Sequence, residues 1–167
     1  PLKDALAFPF FDNYSSNRSR GTLQIQQGCD HRCTFCIIPF GRGDSKSLKF
    51  NDILKRTQEL IKKGYNEIIL TGVDLTSYGH DLKGQPKLGN ILKRLLVCVP
   101  ELKRLRLSSI DPAEIDEDLM QILLNDERLL PHLHLSIQSG DNLILKRMKR
   151  RHNRKHVIDV KNLIRLF

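Results

Sequence analysis

The sequence predicts an α/β fold built on parallel strands. Three observations predict it: four short strand-like runs, helix-period segments between them, and separations of 28 to 45 residues between strand starts, which suit strand-helix-strand crossovers. The strands are expected over residues 22–27 (TLQIQQ), 67–73 (EIILTGV), 104–110 (RLRLSSI) and 132–138 (HLHLSIQ), each short and either alternating or apolar. Helices are expected over 50–63, 88–98 and 115–125 between them, with 141–150 and 154–166 following the last strand. Four strands are too few to close a barrel, and the chain stops on an apolar helix ending LIRLF, so a domain truncated after its fourth βα unit is expected. No residue-level similarity links the units, which excludes a solenoid.

At 167 residues, 40% hydrophobic and 28% charged, the composition is that of a globular chain with one core. Residues 1–20 hold Pro1, Pro9, aromatic residues at 8, 10 and 11 and the polar stretch NYSSNRSR; they read as a linker, with the domain proper at 21–167. No run of 18 apolar residues and no signal-like start occur, so neither a membrane span nor export is expected and the location expected is the cytoplasm. Lys and Arg outnumber Asp and Glu by 28 to 19, a net charge of +9 that suits a polyanionic partner.

Three of the four cysteines fall within eight residues, in Gly28-Cys29-Asp30-His31-Arg32-Cys33-Thr34-Phe35-Cys36, directly after the first strand. In a reducing compartment that clustering favours a metal over disulfides. Thiolates suit zinc or iron-sulfur clusters, and three in one short loop can wrap a cluster while leaving a fourth iron without a protein ligand. Structural zinc needs four closed ligands; His31 can supply the fourth, although its ring lies between the first two cysteines, a cramped origin for a tetrahedron. Incidental buried cysteines are the remaining reading. Cys98, flanked by Leu96, Val97 and Val99, reads as a buried small hydrophobe.

The spacing CxxxCxxC, with aromatic Phe35 just before the third cysteine, resembles the signature of radical S-adenosylmethionine (SAM) enzymes. That resemblance implies a partial (β/α)6 TIM-like barrel and a [4Fe-4S] cluster held by Cys29, Cys33 and Cys36. SAM binds the open iron through its amino and carboxylate groups, and its reductive cleavage gives a 5'-deoxyadenosyl radical. The longer blocks QIQQGCDHRCTFCIIPFGRGDSKS, TGVDLTSYG, LRLSSIDP and HLHLSIQSGDNLILKRMKRRH, in this order, are similar to the methylthiotransferases. Within that family the blocks most resemble the tRNA enzymes that place a methylthio group on C2 of N6-threonylcarbamoyladenosine at position 37.

Carried onto this chain, the resemblance makes the three cysteines both metal ligands and catalytic residues, and sets Phe35 and Ile37 near the adenine. It sets the Gly72-Val73-Asp74 turn at the SAM amino group, where Gly72 permits close backbone approach and Asp74 accepts from an ammonium. Among Ser108, Ser109, Asp111, Ser136, Gln138 and Ser139, which fall at the ends of strands three and four, Ser136 and Gln138 are the expected contacts to the SAM ribose and carboxylate. Helix caps are the plainer reading of Asp111 before Pro112 and of Ser139-Gly140-Asp141. The implied partners are tRNA, SAM and an electron donor such as a flavodoxin or ferredoxin. Methylthiotransferases also carry a second [4Fe-4S] cluster in an N-terminal domain and an RNA-binding domain at the C-terminus. The chain is therefore expected to be the SAM-cleaving part of such an enzyme.

Seven of the ten residues from 146 to 155 are basic: Lys146, Arg147, Lys149, Arg150, Arg151, Arg154 and Lys155. They can flank the site's mouth and meet RNA phosphates, bind the SAM carboxylate, or form a solvated helix face. His132 and His134 alternate with leucines and are expected on the side of Ser136, lining the interior or satisfied in the core. Arg42-Gly43-Asp44 spells an adhesion tripeptide in the wrong context and is discarded. The competing functions are a zinc-containing RNA-binding module, an electron-transfer iron-sulfur protein with Cys98 as fourth ligand, and a methylthiotransferase for another tRNA base or a ribosomal protein.

Overall fold

The structure, a computed structural model, describes residues 19–164, so all but the last two residues of the expected linker and the final residues of the last expected helix lie outside the described residues. The first expected strand forms in two pieces, β1 (Arg20–Gln24) and β2 (Gln26–Gln27). The cysteine loop follows and leads into a short helix, α1 (Ile38–Arg42), started by Pro39 in its first turn and ended by Gly43 at φ 78°. A further short strand, β3 (Lys46–Ser47), returns antiparallel to β2, with Gln26 opposite Ser47. Neither α1 nor β3 is long enough to show a period in the sequence.

From there the expected alternation holds. The chain forms α2 (Phe50–Lys62), β4 (Glu67–Thr71), α3 (Leu88–Cys98), then β5 (Arg104–Leu107) and β6 (Ser109–Ile110). After these come α4 (Glu117–Asn125), β7 (His134–Leu135), α5 (Asn142–Arg147) and α6 (Arg154–Ile164). β4 lies between β1 and β5, all three parallel, and β7 pairs parallel with β6. Ser108 joins β5 to β6 while its N–H donates to Leu70 O at 2.9 Å, and Leu105 bridges Leu129 in parallel. Four parallel strand positions therefore stand side by side, as the four strand-like runs predict.

Burial explains why these runs become strands. Ile68 and Leu70 of the central strand share one face and are fully buried, whereas Ile69 and Thr71 on the other face are half-buried. Leu88, Ile91, Leu92, Leu95 and Leu96 form one apolar stripe of α3, which closes on α4 at Gly89. A Cβ on Gly89 would stand 2.2 Å from Leu119 N, so only glycine admits that approach. At the opposite edge from the cysteine loop, Glu67 sits across from Arg20 on one neighbour strand and Arg104 on the other. Arg106 Nε reaches its Oε1 at 2.8 Å.

Three expectations are corrected. Cys98 is exposed rather than buried, because the stripe of α3 passes through Leu95, Leu96 and Val99 and turns Val97 and Cys98 to solvent. The last strand is two residues long; beyond it Arg150 takes Ser136 O at 2.8 Å and Gln138 adopts φ 66°, which ends the ladder. His132 and His134 are both exposed, and His134 Nδ1 stands 3.2 Å from Ser109 Oγ.

Candidate functional site

Parallel strands bring their C-terminal ends to one edge of a sheet, and here four loops meet there. They follow β2, β4, β6 and β7, and together they line a cleft of about 210 Å³. Cys29, Cys33, Phe35, Cys36, Asp74, Ser136 and Gln138 all face it, so seven of the nine residues expected in the site from the sequence share one cleft. Ile37 and Gly72 do not; their neighbours Ile38 and Val73 line it instead. Ile37 is 75% exposed, while a Cβ on Gly72 would meet Gln26 Oε1 at 2.9 Å, so glycine there admits a buried glutamine.

The cysteine loop is held by its backbone. Gly28, at φ 73°, lies where a Cβ would come within 2.0 Å of Asp44 O. Cys29 N donates to Gly43 O at 3.1 Å, Cys36 N to Cys33 O at 3.1 Å, and Asp30 Oδ1 accepts from Ser45 N at 2.9 Å. Gln26, fully buried, clasps the base of the loop: its Nε2 donates to Gly28 O at 2.8 Å and Ser45 Oγ at 2.9 Å, while its Oε1 accepts from Asp74 N at 2.8 Å.

Asp74 gathers donors on one oxygen. Its Oδ2 accepts from Ser77 Oγ at 2.7 Å, lies 2.8 Å from His31 Nε2 and is 3.4 Å from Cys29 Sγ. Burial, with the Asp74 carboxylate adding to it, pushes the Cys29 thiol up to about 12, so metal binding must displace its proton. Hydrogen bonds to Asp74 and Glu114 raise His31 to about 9. Burial pushes Glu114 up, but hydrogen bonds from His31 and Arg151 outweigh it and hold its carboxyl well below the usual carboxylate range.

The second centre of charge is Asp111, which is buried and caps the turn Pro112–Glu114 through Ala113 N at 2.9 Å. Its Oδ2 accepts from Arg150 Nη2 at 2.8 Å and lies 3.3 Å from Arg151 Nη2, and Arg151 also bonds Glu114. His152, buried, donates through Nε2–H to Ile137 O at 3.0 Å, the direction a carbonyl acceptor requires. Arg150 and Arg151 are thus tied into the site, whereas Lys146, Arg147, Lys149 and Arg154 are exposed and Lys155 pairs with Asp159 at 3.1 Å. Gln26, Ser77, Glu114 and the roles of His31 and Arg150 escaped the sequence reading; only the GCDHRC string and the basic run pointed near them.

Two metal geometries deserve comparison. Three thiols on one cleft, with Cys98 outside its lining, match a cluster with three protein ligands and one open iron. Cys29, His31 and Asp74 also bring one donor atom each within 4.8 Å of one another, a set for a single divalent ion. That second set leaves Cys33 and Cys36 facing the cleft unused.

Threonylcarbamoyladenosine tRNA methylthiotransferase MtaB of Rickettsia prowazekii (strain Madrid E) is 55% identical over 142 residues, 85% of this chain and 34% of that protein. The protein of the same name from Bacillus subtilis (strain 168) is 38% identical over 150 residues, 90% of this chain and 33% of its own length. The chain therefore spans about a third of the length of these relatives. In fold it is similar to the radical S-adenosylmethionine methyltransferase TsrM from Kitasatospora setae, with a TM-score of 0.68 over 87% of this chain and 28% of that one, at 15% identity. The family model described as the radical SAM superfamily matches residues 23–165, from the first strand through all four loops of the cleft, and the chain belongs to that superfamily.

Proposed function

We propose that this chain is the SAM-cleaving part of a tRNA methylthiotransferase that acts on C2 of N6-threonylcarbamoyladenosine at position 37. One observation carries the reading: Cys29, Cys33 and Cys36 face a single cleft together with Phe35, Asp74, Ser136 and Gln138. The names of the relatives support this substrate class, and residues 21–167 are the part of the enzyme assigned to this chain.

Cys29, Cys33 and Cys36 would hold a [4Fe-4S] cluster, which with SAM on its open iron supplies reductive cleavage of SAM to a 5'-deoxyadenosyl radical. The chain's own residues bind and orient. Phe35, 51% exposed at the cleft, offers an apolar face to the adenine. Among the described residues, the contacts that hold the Asp74 side chain fall on Oδ2, which leaves Oδ1 to accept from the SAM ammonium. Ser136 and Gln138 give polar groups to the ribose and carboxylate. On the rim, exposed Phe40 and the cations Arg147 and Lys149 suit a stacked base and RNA phosphates. Thr34 Oγ1 ties the cysteine loop to Arg147 O at 3.2 Å and so fixes that rim to the cluster side. A flavodoxin or ferredoxin is the class of electron donor required. No described helix is long and apolar enough to cross a membrane.

The test is SAM cleavage. Protein reconstituted anaerobically, reduced with dithionite and given SAM should release 5'-deoxyadenosine and methionine, and Cys33→Ala should not. The triad Cys29, His31 and Asp74 favours one rival, a zinc site in an RNA-binding module. Stoichiometric zinc, with unfolding on chelation and no SAM cleavage, would establish that rival instead.

A further inference from the structure

Arg150 lines the cleft, in a setting unlike that of the other cations of the basic run. Lys149, at φ 56°, turns the chain back after α5, and Arg150 N donates to Leu145 O at 2.9 Å. Its side chain is 9% exposed. Nη2 is held by Asp111 Oδ2 at 2.8 Å and by Ser136 O at 2.8 Å, which fixes the plane of the guanidinium. Nη1 then lies 3.7 Å from Cys33 Sγ, within reach of an N–H···S contact, and Nε is buried with no partner among the described residues.

A guanidinium keeps its charge at any pH a folded protein survives. Beside a thiolate ligand it acts in one direction. Reduction adds one electron to the cluster and increases the negative charge on its sulfurs, so a fixed cation and an N–H donor stabilise the reduced form more than the oxidised form. The three thiols are not equivalent in this respect. Cys29 Sγ lies 3.4 Å from the Asp74 carboxylate, which disfavours added negative charge, while Cys33 Sγ faces Arg150. Asp111, itself oriented by Ala113 N, holds the guanidinium in place rather than touching a sulfur.

We propose that Arg150 is a positioning residue that raises the reduction potential of the cluster through its N–H contact to Cys33 Sγ, with Asp111 and Ser136 O holding it there. This rests on the cluster reading above, and the test separates the two. The measurement is a redox titration followed by electron paramagnetic resonance on the reconstituted full chain before any SAM is added, so that a contact to SAM contributes nothing. Arg150→Gln should keep its iron and sulfide yet lower the potential by about 59 mV, a tenfold shift in the one-electron equilibrium. Arg150→Lys, which keeps the charge and loses the fork, should fall between the two.

A second measurement leaves Arg150 in place. Protein carrying ¹⁵N-labelled arginine in an Arg32→Lys background, which removes the arginine beside Cys33, should still show a ¹⁵N hyperfine coupling on the reduced cluster, which decides the matter should Arg150→Gln fail to fold. An unchanged potential in a cluster-loaded Arg150→Gln protein, or no ¹⁵N coupling in the Arg32→Lys protein, overturns the proposal and leaves the cluster reading standing. Failure of the wild type to assemble any cluster overturns both.

Discussion

The side-chain oxygen of Gln26 accepts the backbone N–H of Asp74 at 2.8 Å, joining the strand that feeds the cysteine loop to the turn that faces it. The same side chain bonds Gly28 O and Ser45 Oγ. Gln26→Leu keeps the volume and strands those partners in the interior. At about 1–3 kcal/mol for each orphaned buried group, a loss of about 3 kcal/mol in urea unfolding is expected. A midpoint equal to that of the wild type would contradict the clasp.

Glu67 gives the pH dependence. Burial pushes its carboxyl up, but Arg106 first and then Arg20 and Arg104 outweigh this and hold it below the ordinary glutamate value of 4.5. A folded value lower than the unfolded one contributes stability that is present above the unfolded value and lost as pH falls through the folded one. Urea midpoints should therefore drop below about pH 4.5, and Glu67→Gln should flatten that drop. Equal slopes in the two proteins would contradict the role given to the three arginines.

Gly89→Ala probes the helix pair that covers the sheet. Its Cβ would meet Leu119 N at 2.2 Å and Asp116 Oδ1 at 2.3 Å, and the first is backbone that cannot swing aside. A cost of about 1–3 kcal/mol is expected from thermal or urea unfolding, in the range of overpacked sites. A stabilised variant would show that α3 and α4 are not in close contact.

On the rim, Lys149→Gln should weaken binding of a single-stranded anticodon-loop RNA and reduce the slope of log affinity against log salt by about 0.7, one phosphate contact. Phe40→Ala should weaken binding by about 1–3 kcal/mol with the salt slope unchanged, since stacking releases no counterions. Fluorescence anisotropy over a salt series separates the two. Equal affinities for all three proteins would remove this surface from the RNA interface.

The strands and crossover helices were legible because their periods run for several turns, as in the stripe of α3, and the cysteine loop because its spacing is local. What stayed hidden depends on contacts between distant residues. The tie between Asp111 and Arg150 spans 39 residues, and nothing in a basic run distinguishes the one cation that is buried from those that are solvated. Gln26 reads as a polar residue in a strand and becomes a clasp only when β3 and the Asp74 turn close around it. The apolar neighbours of Cys98 suggest burial, yet the phase of the helix turns it to solvent. Gly72 and Ile37 stand one residue from positions that line the cleft, a distinction that a one-residue change of direction in a loop makes and a motif does not show.

In the proposed function, Cys29, Cys33 and Cys36 hold a cluster with one iron left open to SAM. Mössbauer spectroscopy of ⁵⁷Fe-reconstituted protein, alongside iron and sulfide content, tests this. About four irons and four sulfides per chain are expected, with one iron of the cluster changing its spectrum when SAM is added and the other three unmoved. Zinc in place of iron, or a cluster whose four irons are all indifferent to SAM, would contradict it.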